Sequence, residues 1–266
     1  MSHFVHILSM INYADIRGFI PVIDMKNNLS PYIYKNEIGK INAWEYYFEQ
    51  PGGVSLEDAL SSKNFINGKF SRYSKPNSSI GFYYNYGGEL DYWRNLCKKY
   101  IKFSRHIKER LDREKIKFIN KRVLGVSLRG TDYTAYKPIN HSIQPDVEEV
   151  IKKVCNVLKT EKFDAIYLST EDKNILARFK EVFDKILILP EQNYIDYDKN
   201  SKKVISEYSL NRNKDKFLQG LEYLSSKLLL CECNGLITSM SGGAICAMLF
   251  SEKFEYLYVF DLGYYA

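Results

Sequence analysis

From about residue 121 to the end of the chain, short apolar runs alternate with stretches of helical period, and this alternation limits the fold more than any other feature. Residues 123–128 are almost wholly apolar, as suits a parallel strand covered on both faces. Residues 145–159 carry Val147, Val150, Ile151, Val154 and Leu158, the spacing of an amphipathic helix. A second strand is predicted at 165–168, a second helix at 172–183 and a third strand at 186–189, closed by Pro190. Phe217, Leu221, Leu224 and Leu228 mark another helix, followed by a strand at 236–238, a short apolar helix at 243–250 and a last strand at 256–260. Such repetition implies right-handed crossovers and a doubly wound, Rossmann-like parallel sheet, so the expected class is α/β.

The N-terminal part is less regular. Ile7, Ile11 and Ala14 predict a helix ended by Gly18, and residues 19–23 read as a strand ending at Asp24. An aromatic stretch around Trp44, Tyr46 and Tyr47 follows. Residues from about 90 to 118 carry one long helical pattern through Leu96, Tyr100, Phe103 and Ile107. A boundary near 119–121 is expected, dividing a smaller N-terminal α/β domain (1–119) from the Rossmann-like domain (120–266).

With 266 residues the chain can bury a substantial core, and 45% hydrophobic with 26% charged residues is an ordinary globular composition. No run reaches the length of a membrane span, and residues 1–7 lack a basic region leading into an apolar core, so a cytoplasmic protein is expected. The five cysteines show no CxxC spacing and read as reduced thiols; all but Cys233 fall at apolar-looking places. Cys231-Glu232-Cys233 lacks the partners that would complete a metal site. The net charge of +6 is spread along the chain. It suits a phosphate-bearing partner or peripheral contact with an anionic membrane surface. No basic block interleaved with stacking aromatics points to nucleic acid.

Polar chemistry gathers where three predicted strands end. After the first comes Arg129-Gly130-Thr131-Asp132, with His141 in the loop beyond. A forked, permanently charged guanidinium there suits a phosphate, and equally suits a simple tie to Asp132. After the second comes Ser169-Thr170-Glu171-Asp172, where Ser169 or Thr170 also reads as an N-cap and Glu171 as a partner of the helix dipole. After the fourth comes Ser239-Met240-Ser241-Gly242-Gly243. Free backbone N–H groups at that helix start suit an anion, while a cap with glycines for close packing is the alternative. In open α/β sheets ligands collect at such carboxyl ends.

The runs Ser127-Leu128-Arg129-Gly130-Thr131-Asp132, Tyr167-Leu168-Ser169-Thr170-Glu171-Asp172 and Cys233-Asn234-Gly235-Leu236-Ile237-Thr238-Ser239-Met240-Ser241 resemble, in order and spacing, the three donor-site motifs of GDP-fucose-dependent fucosyltransferases. The likeness is nearest to the α-1,6 and protein O-fucosyltransferase superfamily and covers roughly 120–250. Tyr13-Ala14-Asp15 through Pro21-Val22-Ile23-Asp24-Met25 is similar to bacterial members acting on surface polysaccharides. The resemblance implies a GT-B-like fold with an acceptor-side N-terminal domain and a C-terminal donor domain. It also implies inverting, metal-independent transfer of fucose from GDP-fucose to a glycan acceptor, with no other cofactor. Arg129 would grip the β-phosphate and meet charge on departing GDP. Glu171 and Asp172 would hold the base and ribose, Ser241 and Gly242 a phosphate oxygen. His141, Ser169 and Ser239 would line the same donor site. Ser127 stands where the motif usually has histidine, and Gly130 where α-1,6 members have a second arginine. In the family a first strand and a glycine-rich loop precede the helix that here starts near Phe4, so a truncated N-terminal domain is expected.

The base of an inverting transfer needs a carboxylate or histidine near the acceptor hydroxyl. Asp24, Asp132 and Glu45 are the candidates; Asp24 equally caps a turn. Trp44, Tyr46 and Tyr47 either stack on a sugar or pack in the core. Two other readings stand beside this one. In the first, Asp196-Tyr197-Asp198 is the acidic motif of a metal-dependent GT-A-type transferase. In the second, the protein binds a nucleotide without catalysing transfer. No P-loop or GxGxxG dinucleotide motif occurs.

Overall fold

Strand β1 (Val123–Ser127) is buried at every residue, which is why its sequence is a continuous apolar run rather than an alternating one. The computed structural model describes residues 2–27, 30–68, 79–198, 204–252 and 254–266. The chain divides into two compact units, 1–109 with 211–221, and 110–210 with 222–266.

The first unit contains α1 (Ser2–Ile16), α2 (Leu56–Ser61), α3 (Ile80–Tyr83), α4 (Glu89–Tyr100) and the start of α5 (Arg105–Lys115). Its core is aromatic: Trp44 stacks on Phe48 at 4.3 Å between centroids, and Phe4 stacks on Phe48 at 5.6 Å. The segment 211–221 belongs to this unit through Phe217, whose carbonyl accepts a hydrogen bond from Tyr47 Oη (3.0 Å). Tyr47 also packs on Gly220, where a Cβ would lie 2.5 Å from Tyr47 Cζ, so only glycine fits. Trp44 and Tyr47 are buried in this packing and Tyr46 is half-buried.

Two sequence expectations fail here. Residues 19–23 form no strand, because the backbone finds side-chain partners instead. Ile23 N donates to Gln50 Oε1 (2.8 Å), and Ile23 O accepts from Asn42 Nδ2 (2.8 Å) and Gln50 Nε2 (3.0 Å). The helical pattern of 90–118 is broken between Tyr100 and Arg105. There Phe103 bridges to Phe48, and Ser104 N and Oγ donate to Tyr47 O and Tyr46 O. Two helices bury their apolar stripes separately, and a 3-10 turn at Ile116–Phe118 follows the second.

The second unit is an α/β layer. After β1 come α6 (Asp132–Tyr136), α7 (Val147–Thr160), β2 (Ala165–Ser169), α8 (Lys173–Phe183), β3 (Leu187–Ile188), α9 (Asp215–Leu229), which begins in the first unit, β4 (Gly235–Ser239), α10 (Gly242–Phe250) and β5 (Tyr256–Phe260). The five strands are all parallel in the order β3-β2-β1-β4-β5. Val150, Ile151 and Val154 of α7 and Ile175, Phe179 and Phe183 of α8 share a buried cluster with Val126, Leu168 and Ile237 of the sheet. Burying each such side chain is worth roughly 1.5–3 kcal/mol.

All five cysteines are free thiols. Cys233, the one that looked out of place, is buried at 1% exposure, because the turn before β4 packs beneath Gly125 of β1. Its Sγ faces Leu229 O while that of Cys231 faces Ala247 O, each taken up by its own carbonyl. No helix among the described residues is long and apolar enough to cross a membrane.

Candidate functional site

The strand order reverses at β1: the chain steps first to β2 and β3, then crosses back to β4 and β5. The carboxyl ends of β1 and β4 therefore flank the topological switch point, where open α/β sheets bind ligands. Arg129 follows β1 there, and Ser241 and Gly242 follow β4. Between β1 and the partner strands the register aligns Ser127 with both Ser169 and Thr238, so the three polar turns leave the sheet at one level.

The Arg129 side chain keeps 25% of its surface open to solvent. Its Nη2 reaches Asp132 Oδ1 at 3.3 Å, and its Cζ sits 3.7 Å above the Tyr133 ring. Nε is buried with no hydrogen-bond partner among the described residues. Burial works against the charge, but Glu171, Tyr223, Asp132 and Tyr133 around it outweigh that and raise its pKa further. The tie to Asp132 is thus real, yet it occupies one nitrogen of a five-donor fork. Asp132 is more fully committed. Oδ1 also accepts from Thr131 Oγ1 (3.2 Å), and Oδ2 accepts from Ile205 N (3.2 Å).

Thr131 holds a left-handed φ of 56°, which is strained for a β-branched residue. Its hydrogen bonds hold it there: N donates to Asp172 Oδ2 (3.0 Å) and Oγ1 lies 3.3 Å from Glu171 Oε1. Asp172 is the N-cap of α8, its Oδ1 accepting from Asn174 N (2.8 Å) and Ile175 N (3.3 Å). That corrects the sequence reading, in which Ser169 or Thr170 took the cap. Both oxygens of Asp172 thus serve backbone amides. Glu171, half-exposed beside Thr131 and Arg129, is the freer carboxylate of the pair.

Ser169 and Ser239 are fully buried. Ser239 Oγ donates to Gln144 Oε1 (2.6 Å), which ties the loop before α7 to the end of β4. Ser241 caps α10, accepting from Ala244 N at 3.2 Å, and Gly242 opens that helix half-exposed. His141 is exposed, with Nδ1 2.7 Å from the Tyr133 hydroxyl. Asp24 lies in the other unit, where it closes a turn. Its Oδ1 accepts from Lys26 N (2.8 Å) and Asn27 N (3.3 Å), and Oδ2 from Asn27 Nδ2 (2.9 Å). Glu45, in the same unit, is exposed and accepts from Gln50 Nε2 (2.9 Å). Asp196 is exposed and paired with Lys173 at 3.2 Å. Among the described residues no group of three or more His, Cys, Asp or Glu side chains is placed to hold a metal.

Lys227 of α9 went unnoticed in the sequence. It is only 4% exposed, and its Nζ donates to Ser169 Oγ at 2.9 Å and lies 3.4 Å from Ser169 O. Its stem packs under the start of α10, where a Cβ on Gly243 would lie 3.0 Å from Lys227 Cε. Burial pulls its pKa down to about 8, against the opposing pull of Glu171; Arg129 lowers it further. The available signal was a lone lysine between Leu224-Ser225-Ser226 and Leu228-Leu229-Leu230, where a wet helix face would carry more charge.

No protein-family model matches the chain, and no curated protein matches it in sequence. Solved structures do match in fold. The fucosyltransferase NodZ from Bradyrhizobium superposes with a TM-score of 0.57 at 16% identity, over 96% of this chain and 90% of that one. A structure titled as NodZ alpha-1,6-fucosyltransferase soaked with GDP-fucose gives 0.54 at 16% identity, over 92% and 87%. One co-crystallised with GDP gives 0.56 at 16% identity, over 96% and 89%. The chain therefore has a fold like that of these fucosyltransferases.

Proposed function

We propose that this protein is an inverting, metal-independent glycosyltransferase that moves fucose from GDP-fucose to a surface-glycan acceptor. The observation that carries this reading is the position of Arg129. Its partly open, charge-stabilised guanidinium stands at the switch point of a parallel sheet, on the strand next to the one that leads into the start of α10. A diphosphate is the ligand such a pair of features suits. The likeness in fold to a transferase soaked with GDP-fucose, together with the three motifs, narrows the diphosphate to that of a GDP-sugar.

In this reading the architecture is GT-B, with residues 1–119 serving the acceptor and 120–266 the donor, and the protein works in the cytoplasm with peripheral access to a membrane surface. Arg129 and the amides at Ser241 and Gly242 hold the diphosphate, and Glu171 faces the ribose and base. When the acceptor oxygen attacks C1, the bond from C1 to the phosphate oxygen breaks and its electron pair leaves with GDP. Arg129 meets that growing charge, a role worth about 2.7–4 kcal/mol in comparable sites. Asp172, Ser169, Ser239 and Lys227 keep the three turns in place from beneath.

A melting-shift series tests this directly. A ligand at a hundred times its Kd adds about 2.7 kcal/mol to the unfolding free energy. GDP and GDP-fucose are expected to raise Tm clearly and UDP much less. Equal shifts for GDP and UDP, or none, would remove the guanine-nucleotide assignment.

A further inference from the structure

The two carboxylates that the sequence offers first as bases are both occupied in the fold. Asp132 is buried and bonded through both oxygens, and Asp24 closes its turn. His141 differs on each count. Its imidazole is exposed, Nδ1 meets Tyr133 Oη at 2.7 Å, and Nε2 makes no hydrogen bond among the described residues. Tyr133 is also the ring on which Arg129 lies, so one aromatic side chain separates the imidazole from the guanidinium.

The loop carrying His141 is pinned. Asn140 N donates to Tyr265 O (2.9 Å), Tyr265 N to His141 O (2.9 Å) and Ile143 N to Gly263 O (2.9 Å). Gln144 then locks it to the end of β4 through Ser239. An exposed imidazole on a loop held this firmly is preorganised, as proton transfer to a positioned base requires.

We propose that His141 is the general base of the transfer, held by Tyr133 and accepting the acceptor's proton at Nε2. This rests on the donor reading above. In this assignment Nδ1 carries the proton toward the Tyr133 oxygen, which leaves the Nε2 lone pair to accept. As that nitrogen takes the hydroxyl proton, the acceptor oxygen bonds to C1 and GDP departs with the electron pair of the broken bond. The Tyr133 phenol meets the imidazole, with the Arg129 guanidinium on the Tyr133 ring beyond it, while the His141 backbone bonds to Pro138 O and Tyr265 N.

The test uses the full chain with GDP-fucose, water serving as acceptor, and follows GDP release alongside GDP melting shifts. His141→Ala is expected to keep the GDP shift while release falls by about 10²-fold or more. Added imidazole restores part of the rate. Tyr133→Phe, which keeps the ring under Arg129, is expected to lose less. A His141→Ala protein that releases GDP at the wild-type rate, or that loses the GDP shift, overturns the assignment. A wild-type protein that binds GDP but releases none from GDP-fucose overturns His141 as base and leaves nucleotide binding standing. A wild type with no GDP shift overturns the donor reading itself.

Discussion

Gly130 approaches Asp172 so closely that a Cβ built on it would lie 2.9 Å from both Cβ and Cγ of Asp172 and collide with its carboxylate. The missing side chain lets one aspartate cap α8 and accept from Thr131 N together. Gly130 is thus a packing requirement of this loop, and an arginine there, as in the α-1,6 motif, would demand a different one. Gly130→Ala is expected to cost about 1–3 kcal/mol, the range for overpacking a filled site. Chemical denaturation checks it, and a variant as stable as wild type would show that the loop can shift freely.

Arg129 separates binding from scaffolding. Arg129→Lys keeps the charge but loses the fork, so capture of the diphosphate is expected to weaken without misfolding. Arg129→Ala is expected to lower kcat by roughly 10²-fold or more. Kinetics and melting on the same samples decide: a folded, fully active Arg129→Ala protein means that Arg129 only ties the loop to Asp132.

The proposed reading has Arg129 and the α10 amides supply positive charge for a leaving diphosphate, so EDTA is expected to leave GDP release intact. Asp196→Asn, which breaks only an exposed pair with Lys173, is expected to be mild. Turnover that collapses on chelation and returns with Mn²⁺ would favour metal-dependent transfer.

Lys227 gives a pH signature of stability. Its folded pKa of about 8 lies below the usual lysine value, so between pH 8 and about 10.5 the unfolded chain binds more protons than the folded one. Stability from this group therefore rises with pH across that window, by at most ~3 kcal/mol in total. Below pH 8 both states carry the proton and the full penalty of the buried charge stands. Lys227→Met removes this dependence, so the wild type is expected to gain stability relative to the variant from pH 8 to 10.5. Parallel denaturation curves at pH 7.5, 9 and 10.5 measure it. A constant difference would mean that Lys227 titrates normally.

The sheet, its helices and the three polar turns were legible in the sequence because each depends on spacing along the chain. Residues 123–128 are apolar throughout since both faces of β1 are covered, and Val150, Ile151 and Val154 recur at the helical period since one face of α7 is. Arg129, Glu171 and Ser241 could be placed at strand ends because the strands themselves could be read. What spacing does not encode is which polar groups find each other across the chain. Asn42 and Gln50 claim the backbone of Ile23 and cancel a strand that local propensity favoured. Asp172, rather than Ser169, caps α8 with one oxygen while Thr131, 41 residues earlier, takes the other. Lys227 comes under the end of β2 and the start of α10 only once α9 is packed, and Tyr133 joins Arg129 to His141 only once the loop is pinned by residues 263–265. Burial periodicity is a local property that one segment carries alone. The pairing of buried charges and hydrogen bonds is a property of distant segments brought together, and only the folded chain decides it.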